Sequence, residues 1–193
     1  MFVKQKHGRY KQDINRVRKT FTTRDGRKIR SRLLTPGDAE LLIDLFDTLS
    51  PEARRRRFHF AADQLGRDAV MDGALRLSNV DNKTRGGAVL ALEEFNGVER
   101  IVGVARLMRP LDDFDSPDLE AAIVVRDDYQ GTGIATELLR RMILLARQMN
   151  GKTIVAEIEA DNYPAIKLFR ELDLPTTSVT SHGETTLRIQ VPE

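Results

Sequence analysis

The chain contains no cysteine in its 193 residues. That excludes a disulfide framework, a thiolate zinc site and a cysteine nucleophile, and it agrees with a reducing compartment. Histidine is scarce as well: His7, His59 and His182 are far apart in sequence, whereas zinc ligands usually fall at close spacing, so no metal site is expected. No apolar run approaches the roughly 18 residues of a membrane span, and MFVKQKHGRYKQDINRVRKT at the N-terminus has too few apolar residues for a signal peptide. A soluble, cytoplasmic protein with no membrane partner is expected. Internal repeats are lacking too, and the basic lead segment is the one biased tract.

What is present is enough for one core. At 40% hydrophobic and 31% charged, a chain of this length can bury one well-packed interior but is short for two. The formal net charge of +2 hides an asymmetry: residues 1–35 carry twelve Lys or Arg against Asp13 and Asp25, so the remainder is net acidic. Residues 1–19 read as a basic, flexible segment and residues 20–193 as the folded domain. Such a segment can hold nucleic acid electrostatically, but it has no aromatic interleaving and no recognition motif, so a solvating tail is expected instead.

The folded part reads as one series of elements. TFTTRDGRKIRSRLL is a hairpin in which Asp25-Gly26 supplies the two positive-φ turn residues, and a second hairpin spans GGAVLALEEFNGVERIVGVARLM across Asn96-Gly97. Between them, TPGDAELLIDLFDTL places Leu41, Leu42, Leu45, Phe46 and Leu49 at helical spacing, Ser50-Pro51 breaks that helix and caps the next, and residues 64–78 give a further helix. DLEAAIVVR is a strand. The helix after it carries Leu138, Leu139, Met142, Leu145, Ala146 and Met149 on one face, with Glu137, Arg140, Arg141 and Arg147 elsewhere. TIVAEIE is a buried strand, a short helix carries Ile166, Leu168, Phe169 and Leu172, and TTSVTSHGETTLRIQV closes the chain as strands. Hairpins around one strand-helix-strand unit indicate an α/β (α+β) domain with a mixed sheet.

The stretch VVRDDYQGTGIATELLRRM joins a strand to that long helix through Gly131 and Gly133. A helix N-terminus offers unpaired N–H groups and the positive end of its dipole, and glycines let an anion approach the backbone without meeting a β-carbon. The spacing matches neither a dinucleotide fingerprint nor a Walker loop, so it leaves an anion site and a tight strand-to-helix turn equally open.

Gln130-Gly131-Thr132-Gly133-Ile134-Ala135 resembles the Q/R-x-x-G-x-G/A motif of the GNAT superfamily of acetyl-CoA-dependent N-acetyltransferases. ADNYPAIKLFRELDL resembles that family's N-x-x-A-x-x-L-Y-x-x-x-G-F segment through Asn162, Ala165 and Leu168, and GRKIRSRLLTPGDAELLIDLFDTLSPEARRRRF is similar to the first strand and helices of bacterial protein-lysine acetyltransferase GNAT domains. Together these cover about residues 20–191. The resemblance implies a mostly antiparallel, mixed central sheet whose two middle strands splay apart. It also implies that the backbone from Gln130 through Gly131, Thr132, Gly133 and Ile134 to Ala135 cradles the pyrophosphate of acetyl-CoA. Ile123, Val124 and Val125 would then pair with the pantetheine like an added strand. Thr136 either adds a hydroxyl to the phosphates or caps the helix. Asn162 either bonds the coenzyme or caps its own helix.

Acetyl transfer to an amine needs a base, because a lysine ammonium has a pKa near 10.4. By the resemblance Glu120, which opens EAAIVV, holds that role; its plain alternative is a solvent-facing strand carboxylate. Asp112, Asp113, Asp115 and Asp118 form an acidic loop that either steers a cationic amine or is merely solvated. Phe169 stands where many members carry an acidic Tyr, and Asp173-Leu174 replaces the usual Gly-Phe; Tyr163 is the nearby substitute acid or a packing residue. Arg54 to Arg57 spread around a helix as a solvated surface or as a contact for the 3′-phosphate. The acceptor implied is a protein lysine, with a small amine as the first alternative and a non-catalytic acyl-CoA-binding module as the second; a homodimer stays open.

Overall fold

The computed structural model describes residues 14–58 and 64–192. Its strands are β1 (Phe21–Thr22), β2 (Lys28–Leu33), β3 (Gly86–Phe95), β4 (Val98–Met108), β5 (Asp118–Val125), β6 (Thr153–Glu159), β7 (Thr176–Ser181) and β8 (Glu184–Gln190). Its helices are α1 (Ala39–Thr48), α2 (Pro51–Phe58), α3 (Arg67–Ser78), α4 (Ile134–Gln148) and α5 (Tyr163–Arg170). The strands form one sheet in the order β1-β2-β3-β4-β5-β6-β8-β7. Neighbours are antiparallel except β5 and β6, and α4 supplies the crossover that parallel strands require. This is the mixed α/β architecture expected.

Two cores sit on the two faces of the sheet. On one, the apolar stripe of α4 packs against β3 and β4, with Leu138, Leu139, Met142, Ile143 and Leu145 fully buried. Truncating any of these leucines to Ala would cost about 2–5 kcal/mol. The close approach depends on Gly103 of β4, where a β-carbon would lie 3.0 Å from Leu138 Cδ1 and 3.2 Å from Ile134 Cγ2. The start of α4 is thereby held against the end of β5. On the other face, α1 covers Leu34, Leu90, Leu92, Ile101 and Val104. Leu119, Ala121, Ile123 and Val125 of β5 face the α4 core, so the period-2 alternation points Glu120, Ala122 and Val124 to the α1 side.

Four expectations are corrected. In the first hairpin only Gly26 of the Asp25-Gly26 pair has positive φ: Thr23 N–H bonds the Arg27 carbonyl at 2.9 Å and Gly26 N–H the Thr23 carbonyl at 3.1 Å, closing a longer loop. Arg141 is not on a solvent face of α4. It is buried, with its guanidinium donating to the Lys19 carbonyl at 3.0 Å and lying 4.7 Å from the Phe21 ring centre. That contact, with Val17 fully buried in a 3-10 turn (Ile14–Arg18), shows that residues 14–19 belong to the folded unit. The rest of the lead segment, residues 1–13 with His7, lies outside the described residues, as does His59. Asp118 opens β5 and pairs with Arg188 at 2.5 Å, so it is no free member of an acidic loop.

Candidate functional site

The β5–β6 pairing ends at Glu120 opposite Val155. From Ala121 to Val125, β5 keeps β4 on one edge while β6 turns away to β8, leaving the other edge without a strand among the described residues. Exposed N–H and C=O groups on such an edge are a template for any extended, amide-bearing ligand.

The turn after β5 aims α4 into the same gap. Tyr129 N–H bonds the Arg126 carbonyl at 3.0 Å and the Thr132 hydroxyl bonds the Tyr129 carbonyl at 2.6 Å, winding the chain so that Gly131 has φ 75° and Gly133 φ 96°. A side chain at Gly133 would be strained by about 1–2 kcal/mol. The first N–H of α4 to find an intrahelical partner is that of Glu137, 3.1 Å from the Gly133 carbonyl. The amides of Ile134, Ala135 and Thr136 therefore remain for a ligand. Tyr129 anchors the turn from below: its hydroxyl donates to Glu93 and Arg27 stacks 4.4 Å from its ring centre. Burial and the bond to the Glu93 carboxylate both push the Tyr129 phenol above its ordinary value.

Helix α2 spans the gap. Ser50 caps it, its hydroxyl accepting the Ala53 N–H at 3.2 Å, and is itself tied to Asp127 after β5; further along, Arg55 pairs with Glu159 at the end of β6. The enclosed cleft has a volume of about 870 Å³ and is lined by the β5 edge, the glycine turn, the start of α4, α2 and the start of α5.

Comparison with known proteins shows the family to which the chain belongs. Residues 45–173 match the family model for Acetyltransferase (GNAT) family. The chain belongs to the GNAT acetyltransferase family. It is 30% identical over 113 residues to L-amino acid N-acyltransferase MnaT of Escherichia coli, covering 58% of this chain and 64% of that protein. It is 31% identical over 124 residues to Acetyltransferase PA5475 of Pseudomonas aeruginosa, covering 64% of this chain and 62% of that one. The chain thus spans just under two thirds of the length of these relatives. Among solved structures, the GNAT domain of S. lividans PAT superimposes with a TM-score of 0.76 at 23% identity, covering 91% of this chain and 97% of the other. The Salmonella typhimurium protein yncA, solved with its cofactor acetyl-CoA, superimposes with a TM-score of 0.60 at 21% identity, covering 86% and 95%.

In this GNAT domain the cleft gathers Ile123, Val124, Val125, Gln130, Gly131, Gly133, Ile134, Ala135, Thr136 and Asn162 on its walls. Thr132 does not line it, because its hydroxyl and carbonyl are committed to the turn and to Arg24. Asn162 caps α5, its Oδ1 accepting the Ala165 N–H at 3.3 Å. Glu120 is exposed on the α1 side of β5, next to the point where the strands part. Tyr163 is not brought in: at the first position of α5 its side chain points outward, 74% exposed, and is absent from the cleft wall. Phe169 is buried in the α4 core.

Two features escaped the sequence reading. Arg24, from the first hairpin, donates its backbone N–H to the Thr132 carbonyl at 2.9 Å and lays its side chain beside Gly133, on the cleft wall. The Arg54 to Arg57 run is not a uniform solvated face: Arg54 bonds the Phe46 and Asp47 carbonyls, Arg55 and Arg56 pair with Glu52, and Arg57 turns inward. Its signal was Ala53, four residues earlier and thus on the same helical face, in a helix with little else apolar.

Proposed function

We propose that this chain carries acetyl from acetyl-CoA directly to a primary amine, with Glu120 as general base and no covalent enzyme intermediate. The observation that supports it is the meeting, in one cleft, of the open β5 edge with the positive-φ glycine turn at the mouth of α4. The turn and the amides of Ile134 to Thr136 suit a pyrophosphate, with Arg24 beside them, and the edge from Ala121 to Val125 suits the amides of the pantetheine arm.

Acetyl-CoA supplies an activated thioester; the chain's own groups supply the rest. Glu120 takes one proton from the incoming ammonium, the free amine forms its bond to the carbonyl carbon, an open N–H of β5 steadies the oxyanion, and as the carbon–sulfur bond breaks the nitrogen releases its second proton to solvent. A thiol with a pKa near 8.5 leaves tolerably as thiolate, so the scheme needs no tyrosine acid and Phe169 is no obstacle.

A lysine of a folded protein and a small amine share this donor site. The lysine reading rests on resemblance to protein-lysine acetyltransferase domains. The space beyond Val124 favours a small amine that also carries an acid group, because it is apolar and lined by three arginines, which repel an ammonium with no anion beside it.

The test is calorimetric titration with acetyl-CoA, with Gly133→Trp as control, followed by thiol release on a panel of amines. Binding lost in Gly133→Trp, and turnover lost in Glu120→Gln with binding retained, are expected. An unaltered rate in Glu120→Gln would remove the base, binding without turnover on any amine would leave a non-catalytic module, and absent binding would remove the donor site.

A further inference from the structure

A second cavity of about 370 Å³ lies between α1, α3 and the sheet, against the acetyl-donor cleft. Val124 and Arg57 line both spaces. Its walls are mostly apolar, with Leu42, Phe46, Val70 and Leu77 among them, but three arginines also line it: Arg76, exposed on α3, and the half-buried pair Arg57 and Arg106. Arg106 lies on β4 opposite Ala122, on the same face as Glu120 and Val124. Glu120 faces Met108 across the strands, so Arg106 is its diagonal neighbour, at a Cα spacing of roughly 7–8 Å.

Neither arginine of the pair has a carboxylate partner among the described residues. Arg106 donates to the Leu77 carbonyl and to Met108 Sδ; among the described residues Arg57 meets the Phe58 ring, 5.0 Å from its guanidinium carbon. The cost registers in their basicity. Burial pushes Arg106 down to about 10, and burial together with repulsion from Arg106 pushes Arg57 down to about 10, so both stay cationic at neutral pH. Half-buried cations facing each other over an apolar pocket are complementary to an anion carried on an apolar body.

We infer that this cavity is the acceptor pocket and that it selects a small primary amine bearing a carboxylate and an apolar side chain, an apolar α-amino acid being the simplest. The carboxylate meets Arg57 and Arg106, the side chain fills the space under α1 and α3, and the amine is left on the Glu120 side of the pocket. A volume near the lower end of ligand sites matches a molecule of that size. This inference rests on the reading of the neighbouring cleft as an acetyl-donor site. The ammonium gives one proton to Glu120, the nitrogen gains the acetyl carbon and sheds its second proton to solvent, and coenzyme A departs as thiolate.

The experiment begins with acetyl-CoA titration and then compares L-leucine, L-leucinamide and a lysine-containing peptide as acceptors by thiol release. The expected result is a kcat/KM for leucine roughly a hundredfold above that for leucinamide, because a site built for a charged group leaves its own groups unpaired when that group is missing. Arg106→Met should remove most of that ratio through KM while acetyl-CoA affinity is kept, and Arg57→Met should act in the same direction. Leucinamide or the peptide matching leucine, with acetyl-CoA bound, would overturn the pocket and leave the donor site standing. If acetyl-CoA does not bind, the donor reading falls and titration with N-acetyl-L-leucine decides the pocket alone. Binding that disappears in Arg106→Met supports it, and no binding by the parent overturns it.

Discussion

Asp127 holds Ser50 with both carboxylate oxygens, Oδ2 accepting the Ser50 N–H at 2.9 Å and Oδ1 its hydroxyl at 2.8 Å. The pair joins the N-terminus of α2 to the turn that carries the glycines, across 77 residues of sequence. With Arg55 fixed to Glu159 on β6, α2 is pinned to both strands that splay. The cleft therefore has a roof fixed at its two ends by exposed polar contacts, and between them by Arg54 on the Phe46 and Asp47 carbonyls and by Ala53 on the core.

Breaking the first of these tests whether the roof matters. Asp127→Ala should weaken acetyl-CoA binding about 5–20-fold, the equivalent of one or two charge-assisted hydrogen bonds. Because the contact is at the surface, the melting temperature should fall by no more than about 4 °C. Calorimetry and thermal unfolding on the same sample check this. Equal affinity in parent and variant would mean that α2 is placed by packing alone.

Arg24 makes a separate prediction. Its backbone bond to Thr132 holds it at the glycine turn, with the side-chain Cγ and Nε beside Gly133. Arg24→Ala should reduce acetyl-CoA affinity roughly tenfold and flatten its dependence on salt, with Arg24→Lys intermediate. Titrations at two ionic strengths measure both effects. An unchanged salt slope in Arg24→Ala would place the phosphates elsewhere.

What the sequence made legible was local. TIVAEIE is β6 to the residue, and Asn96 and Gly97 both take the positive φ that the hairpin reading assigned them. The glycine turn was readable because its chemistry lies in six consecutive residues. The opposite case is Arg57, one of four adjacent arginines that helical geometry points in different directions; Ala53 marks its face only weakly, and the packing of α2 over the sheet turns it inward. Arg141 was assigned to a polar face because its partners, Lys19 and Phe21, are more than a hundred residues earlier in the chain. Arg24 and Gly133 are likewise brought together by the sheet, and no pattern within either segment announces the other.

The arginine pocket should also cost the empty protein stability. Both cations have lowered pKa values, so folding disfavours their charged forms: the penalty is complete below about 10 and is relieved only as pH rises toward the ordinary arginine range. Arg57→Met should therefore raise the apo protein's stability at neutral pH by about 1–2 kcal/mol, allowing for the part of the side chain that solvent screens. Denaturant unfolding measures it. A destabilised variant would mean that Arg57 has an anionic partner within the chain and that the pocket is already compensated.

Asp38, at the root of α1, has the same sign of pH dependence, stability rising with pH, but contributes stability at neutral pH where the two arginines cost it. It is 5% exposed, accepts both Arg32 guanidinium nitrogens at 2.7 Å, and takes the Thr35 N–H at 2.7 Å and hydroxyl at 2.8 Å. Burial alone would raise its pKa, but the Arg32 and Thr35 bonds outweigh it and hold the carboxyl below its ordinary 3.8. A depressed carboxyl stabilises the fold above the unfolded pKa and loses that contribution as pH falls through the folded value. Asp38→Asn should thus cost about 2–4 kcal/mol at pH 7, since it leaves Arg32 partly buried with its bond to the Leu33 carbonyl at 3.2 Å and its weaker ion pair with Glu99 at 3.5 Å. The gap between parent and variant should narrow as the pH is taken below 3.8. Because Asp38 anchors the helix that covers both the sheet and the arginine pocket, the same variant should loosen acceptor binding before it affects acetyl-CoA. A pH-independent gap would assign the loss to packing instead of charge.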